Sequence, residues 1–133
     1  FFAAAADGCD LILGNRNALS ESRRALTPPQ RFGNAFAGWI IELAWGMRFH
    51  DLGPLRLIRR TSLEALQMED RGFGWTVEMQ AKAAGQQLKC REIPVHYAPR
   101  RGGRSKISGS IRGTLCAGTI ILTTLGKLWR REK

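Results

Sequence analysis

The run RRGGRSKISGS, residues 100–110, places four cations, three serine hydroxyls and three glycines in eleven positions. Cations and hydroxyl donors on a backbone free to bend suit an anion, most simply a phosphate. The run leads into a stretch that reads as a helix, whose N-terminus adds partial positive charge. The owner of that phosphate is a nucleic acid, a lipid or a nucleotide. GGRSKISGS does not meet the nucleotide-loop pattern G-x-x-x-x-G-K-[ST], and no G-x-G-x-x-G occurs, so the ATP-loop and simple dinucleotide readings are excluded.

Charge supports a search for an anion. The 133 residues carry a net charge of +10. Residues 1–70 hold eight Lys+Arg against eight Asp+Glu, and residues 71–133 hold thirteen against three, so the whole excess lies in the second half. Such asymmetry points to a polyanionic partner or an anionic membrane surface. Cys9, Cys90 and Cys116 form no C-x-x-C, and their wide spacing and odd count fit a reducing cytosol rather than a disulfide framework or zinc site. His50 and His96 are far apart and read as structural. The chain opens Phe1-Phe2-Ala3 without methionine, so it is expected to have been cut, processed or recorded incompletely, and no basic segment precedes an apolar stretch as in a secretory signal.

The elements that must position these groups follow from periodicity. Residues 1–8 read as the end of a helix closing at Gly8, and CDLILG (9–14) as a buried strand. Residues 15–30, ending in Pro-Pro, read as a loop with one helical turn. From 31 to 49, Phe32, Phe36, Trp39, Ile40, Leu43 and Met47 recur at helical spacing. This predicts a helix whose aromatic face is core. Residues 54–60 alternate as a strand, and Thr61 or Ser62 is expected to cap a short helix carrying Leu63 and Leu66. Residues 75–85 predict a helix, and 88–99 a strand that Pro94 confines to an edge or a bulge. The last helix carries the apolar stripe Ile107, Ile111, Leu115, Leu122, Leu125 and Trp129. Its uncharged stretch, 113–126, is shorter than the roughly 20 residues a bilayer span needs, so it reads as amphipathic, lying on a membrane or packing on the domain. The order is α/β with few strands, a thin sheet that reads as part of a larger one.

Six segments in order, DLILGNR (10–16), QRFGN (30–34), DLGPLRLIRR (51–60), GWTVEMQAKA (74–83), EIPVHY (92–97) and RRGGRSKISGSIRG (100–113), carry a resemblance. Together they resemble the C-terminal half of a family 2 glycosyltransferase of the dolichol-phosphate mannosyltransferase-like branch, over nearly the whole chain. The resemblance implies a partial nucleotide-diphospho-sugar transferase fold (GT-A type, Rossmann-like) that lacks its N-terminal donor-binding half. Residues 1–106 would be the acceptor-side part, and 107–133 an amphipathic basic helix and tail. It implies sugar transfer, with inversion, from a nucleotide-sugar donor to an acceptor such as a polyprenyl phosphate, in the cytoplasm at the inner face of the membrane. It also implies a divalent cation, Mg or Mn, held by an Asp-x-Asp motif. That motif is absent here, since Asp7-Gly8-Cys9-Asp10 does not match, so this piece alone is expected to be inactive.

Carried over position by position, Gly14 and Arg16 match the family's G-x-R near the phosphates. Arg31 and Asn34 match the start of the following helix, on the acceptor side. Asp51 matches the D-x-G-P-x-R turn near the active centre, and Glu78 the acidic position of the acceptor helix, where relatives with hydroxyl acceptors place a general base. Those relatives often have Glu-Asp, and this chain has Glu78-Met79. Arg100, Ser105 and Lys106 match a phosphate-holding R-x-x-G-x-S-K pattern, although the loop also reads as part of a solvated basic face. Two rivals stand beside the enzyme. A nucleic-acid module finds no helix-turn-helix, zinc-finger or RNP motif, and no aromatics interleave with the basic cluster. A stand-alone basic peripheral-membrane or polyanion-binding module is supported by the cations on both sides of the last apolar stripe.

Overall fold

The computed structural model describes residues 1–99, 101–102 and 111–132. Arg100, Ser105, Lys106 and Ile107 lie outside the described residues. In chain order the elements are α1 (Phe2–Ala6), β1 (Leu11–Asn15), α2 (Ser20–Ala25), α3 (Pro28–Trp45), β2 (Arg56–Ile58), α4 (Arg60–Leu66), α5 (Trp75–Gly85), β3 (Cys90–Pro94) and α6 (Ile111–Glu132).

The sheet has the order β2-β1-β3, with β1 antiparallel to β2 and parallel to β3. β1 is central and wholly buried, as its uncharged run LILGN requires. Alternation along the strand divides its side chains between two layers. Leu11 and Leu13 face the main core with Ile41, Phe49, Leu66, Val77, Met79, Leu125 and Leu128, so α3, α4, α5 and α6 supply that layer. Ile12 faces a small second cluster with Ala4 and Cys9 under α1. β3 stands at the edge and ends at Pro94, which pairs with Asn15. The proline therefore closes the strand where its missing N–H matters least.

The structure corrects several boundaries and faces. The Pro-Pro pair does not end a loop but opens α3 at its first two positions. Thr27 accepts from the Gln30 backbone, and the Gln30 side chain accepts from the Thr27 N–H. The helix stops at Trp45 rather than 49, because Gly46 adopts the left-handed conformation at φ 74°. Neither Thr61 nor Ser62 caps α4. That helix starts at Arg60, and the Ser62 hydroxyl donates instead to Asp10 at 3.1 Å.

The larger correction concerns which face of α3 is inside. The buried residues are Asn34, Ala37, Gly38 and Ile41, while Phe32, Phe36, Trp39 and Leu43 are exposed. Small residues let the helix axis come close to the Phe49 backbone. A Cβ on Gly38 would overlap the Phe49 carbonyl oxygen. On α6, Leu125 and Leu128 enter the main core with Ile121 against it, while Leu115, Leu122 and Trp129 of the expected stripe stay exposed. No described helix is long and apolar enough to cross a membrane.

Candidate functional site

In open α/β sheets ligands gather outside the carboxyl ends of parallel strands. β1 and β3 are the parallel pair, and Arg16 is the first residue beyond the end of β1. Its guanidinium grips Asp51, with Nε to Oδ2 at 2.8 Å and Nη2 to Oδ1 at 2.7 Å, and its backbone N–H donates to Oδ2 at 2.8 Å. Asn34 Nδ2 donates to the same Oδ1 at 2.8 Å. The Asp51 side chain is fully buried, and both its oxygens are engaged. Its own carbonyl accepts from Gln80 Nε2 at 2.8 Å, which ties the turn to α5.

The other face of Arg16 lies against Tyr97, with the guanidinium carbon 5.1 Å from the ring centre. Burial opposes the Arg16 charge. The hydrogen bonds and field of Asp51 and the Tyr97 contact outweigh it, so the pKa lies above the ordinary arginine value. Arg16 is a cation held at a fixed place. Gly53 leaves room for this arrangement, since a Cβ there would come within 3.1 Å of Asp51 Oδ2 and 3.3 Å of Arg16 Nε.

Residues beyond those carried over complete the frame. Glu92 on β3 accepts from the His50 N–H at 2.8 Å, pairs with His50 Nδ1 at 2.6 Å and takes the Asp51 N–H at 3.3 Å. Ser22 joins α2 to the chain after β3, donating to the Val95 carbonyl at 3.0 Å and accepting from the Tyr97 N–H at 2.8 Å. The only sequence signal for these contacts was membership of the EIPVHY segment.

Beside this frame opens a cleft of about 330 Å³. Asn17, Arg23, Arg31, Arg48 and His50 line it, so cations come from α2, from the first turn of α3 and from the chain after α3. Arg48 pairs with Glu42 at 3.0 Å and His50 with Glu92. Arg23 and Arg31 have no carboxylate partner among the described residues and are exposed where they line the cleft.

Of the expected site residues, Arg16, Asn34 and Asp51 meet in one network, and Arg31 lines the adjoining cleft. Gly14 is buried within β1, where a Cβ would come 3.2 Å from Val95 and 3.3 Å from Leu55. Glu78 stands apart. It is buried on α5, where its two oxygens accept the backbone N–H groups of Glu69 and Asp70 at 2.9 and 2.8 Å and Lys82 pairs with it at 2.8 Å. Burial pushes the Glu78 carboxyl up, but the Lys82 contact and the two backbone donors more than offset it, leaving the pKa below the ordinary value. A carboxylate with a depressed folded pKa contributes stability above its unfolded value, about 4.3, and loses it as pH falls through the folded value. Glu78→Gln should therefore lower stability by about 2 kcal/mol near neutrality and much less in acid, read as urea midpoints across a pH series.

No group of three or more His, Cys, Asp or Glu among the described residues could hold a metal. The carboxylates of the frame, Asp51 and Glu92, are committed to Arg16, Asn34 and His50, and Asp7 and Asp10 to Arg91, Ser62 and the Lys89 N–H. These residues do not fit a divalent cation. Cys90 is no nucleophile either, since burial and the fields of Asp10, Cys9 and Glu92 push its thiol up to about 12.

The chain is 34% identical over 110 residues, 83% of its length, to uncharacterized glycosyltransferases of Mycobacterium tuberculosis and Mycobacterium bovis. It is related to glycosyltransferases. It spans about half the length of the curated relatives it matches (50%). No protein-family model matches the chain, and no solved structure does. A glycosyltransferase relationship implies a sugar donor and an acceptor.

Proposed function

We propose that this chain is the acceptor-side part of a family 2, GT-A type glycosyltransferase of the dolichol-phosphate mannosyltransferase-like branch. The whole enzyme would transfer a hexose, with inversion, from a nucleotide-diphosphate sugar to a phosphate acceptor such as a polyprenyl phosphate. The observation that carries the reading is Arg16, fixed by Asp51 and Tyr97 at the carboxyl end of β1 beside a cleft with two further cations, Arg23 and Arg31.

The chemistry suits those residues. An acceptor phosphate oxygen attacks the anomeric carbon, the bond from that carbon to the diphosphate breaks, and the nucleoside diphosphate leaves with the electron pair. The nucleophile is already anionic, so no general base is required. What the protein contributes is charge neutralisation and alignment. Arg16 and Arg31 would hold phosphate oxygens, with Asn34 and Asp51 positioning Arg16. Arg100, Ser105 and Lys106, outside the described residues, match the phosphate-holding pattern and would hold a phosphate of the acceptor or the donor. The divalent cation would be supplied by the donor half through its own Asp-x-Asp motif. Glu78, with its oxygens occupied, would shape the 68–74 loop rather than move a proton.

Titration with inorganic pyrophosphate tests the cleft directly. Arg31→Ala and Arg23→Ala should each weaken binding about fivefold, and the pair about 25-fold. Equal affinities in wild type and variants would remove the cleft from the reading. The alternative is a basic module that binds polyanions without catalysis, favoured by the +10 charge. It predicts binding to any long polyanion, falling steeply with salt and indifferent to Arg31.

A further inference from the structure

His50 is held more firmly than a surface histidine needs. Its N–H donates to Glu92 Oε1 at 2.8 Å, its carbonyl accepts from Asn17 Nδ2 at 2.7 Å, and its ring Nδ1 meets Glu92 Oε2 at 2.6 Å. One carboxylate on β3 therefore grips both the backbone and the ring, which fixes the orientation of the ring. A carboxylate only accepts, so the proton between Glu92 and the ring belongs to Nδ1. The opposite nitrogen, Nε2, is left as the open end. It makes no hydrogen bond among the described residues, and the side chain is 56% exposed where it lines the cleft.

We propose that His50, oriented by Glu92, is the proton acceptor of the cleft and takes the last proton from a bound phosphate monoester. The inference rests on the reading of the cleft as a phosphate site. The charged side chains that line the cleft beside His50 are Arg23 of α2, Arg31 of α3 and Arg48. Arginine only donates and keeps its charge, so none of them can receive a proton. The other charged neighbours are engaged. Asp51, next in the chain, is bound to Arg16 and Asn34, and Glu42 of α3 to Arg48.

A phosphate monoester divides between monoanion and dianion near neutrality, with a second pKa of about 6. Imidazoles change charge in the same range, so a proton passes between the two at little cost. In the step, the phosphate O–H bond breaks and a bond from its proton to Nε2 forms. The electron pair stays on the phosphate oxygen. The ring becomes an imidazolium that donates to Glu92 through Nδ1 and to the new dianion through Nε2. The acceptor needs no base to become an anion. His50 supplies its second negative charge, and with it a better nucleophile for the anomeric carbon. The ring returns the proton to solvent once the product leaves.

NMR of the full chain with heavy nitrogen in His50 and His96, and methyl phosphate as the probe, tests the proposal. In the free chain the neutral His50 ring should carry its proton on Nδ1. Near pH 6.5, free imidazole and free methyl phosphate are each a mixture of forms. Saturating ligand should there complete the protonation of His50, leave the exposed His96 unmoved, and bring the bound phosphorus resonance to the dianion position. His50→Asn keeps an N–H for Glu92 but has nothing at the place of Nε2. It should melt as wild type does and still bind through the arginines, about tenfold more weakly near pH 6.5 and equally near pH 8.5. The wild-type spectra decide the matter even if that variant fails to fold. Methyl phosphate that binds while the His50 nitrogens stay unmoved would overturn the proposal and leave the cleft standing. So would a free chain whose neutral His50 carries its proton on Nε2. A wild type that binds neither methyl phosphate nor pyrophosphate would remove the cleft, and this inference with it.

Discussion

Asp51→Ala should cost about 3–5 kcal/mol of stability, a large share of the 5–15 kcal/mol that holds a domain of this size. The aspartate has no exposed side-chain surface, and its two oxygens accept four hydrogen bonds, three from Arg16 and one from Asn34. Removing it leaves the Arg16 guanidinium, only 14% exposed, without its counter-charge. Asp51→Asn should fare little better. An amide keeps the shape but turns one acceptor into a donor facing Arg16 or Asn34, so it loses both charge and geometry. The double variant Arg16→Met, Asp51→Leu should recover much of the loss, because a buried pair replaced by apolar groups of similar size leaves no uncompensated charge. Urea unfolding of the two single variants and the double gives the coupling energy. A cost below about 1 kcal/mol for Asp51→Ala would mean that the network is ornamental. The same variant should weaken pyrophosphate binding even where it remains folded, because Arg16 would no longer be held beside the cleft.

Parts of this architecture were legible before any coordinates. α5 runs Trp75–Gly85 as its helix formers and terminal glycine indicate. β1 is the uncharged run it looks like, and Pro94 does mark an edge strand. Thr27-Pro28-Pro29-Gln30 carried a readable helix start, a capping pair with prolines where no N–H is needed, and the proline pair masked it. The face of α3 was not legible, for a physical reason. Spacing fixes the period of a helix but not its phase when two faces are both apolar, and Ala37, Gly38 and Ile41 make a second candidate face beside the aromatic one. Which face turns inward depends on how near the axis must come to Phe49, a tertiary fact.

The site divides in the same way. Arg16, Asn34 and Asp51 could be named from motif order, but not that they touch, because 35 residues separate Arg16 from Asp51. Glu92, Ser22 and Tyr97 enter only once β3 lies parallel to β1 and brings its tail to α2. Arg23 and Arg48 were ordinary surface cations until the structure set both on one cleft.

The phase of α3 can be tested by two substitutions of the same kind on one helix. Glycine to alanine in a helix interior ordinarily stabilises by about 0.5–1 kcal/mol, by restricting the unfolded chain. At Gly33 nothing lies within 4 Å of a new Cβ, and Gly33→Ala should show that gain. At Gly38 the new Cβ would overlap the Phe49 carbonyl. That carbonyl cannot retreat, because Phe49 is buried at 2% exposure and the next two residues are pinned by Glu92 and Arg16. The helix must move instead, drawing Ala37 and Ile41 out of the core. Gly38→Ala should therefore cost about 2–4 kcal/mol, opposite in sign to its neighbour one turn and a half away. Paired thermal melts decide it. Were Gly38→Ala to stabilise as Gly33→Ala does, Gly38 would face open space, and the aromatic residues would be the ones inside.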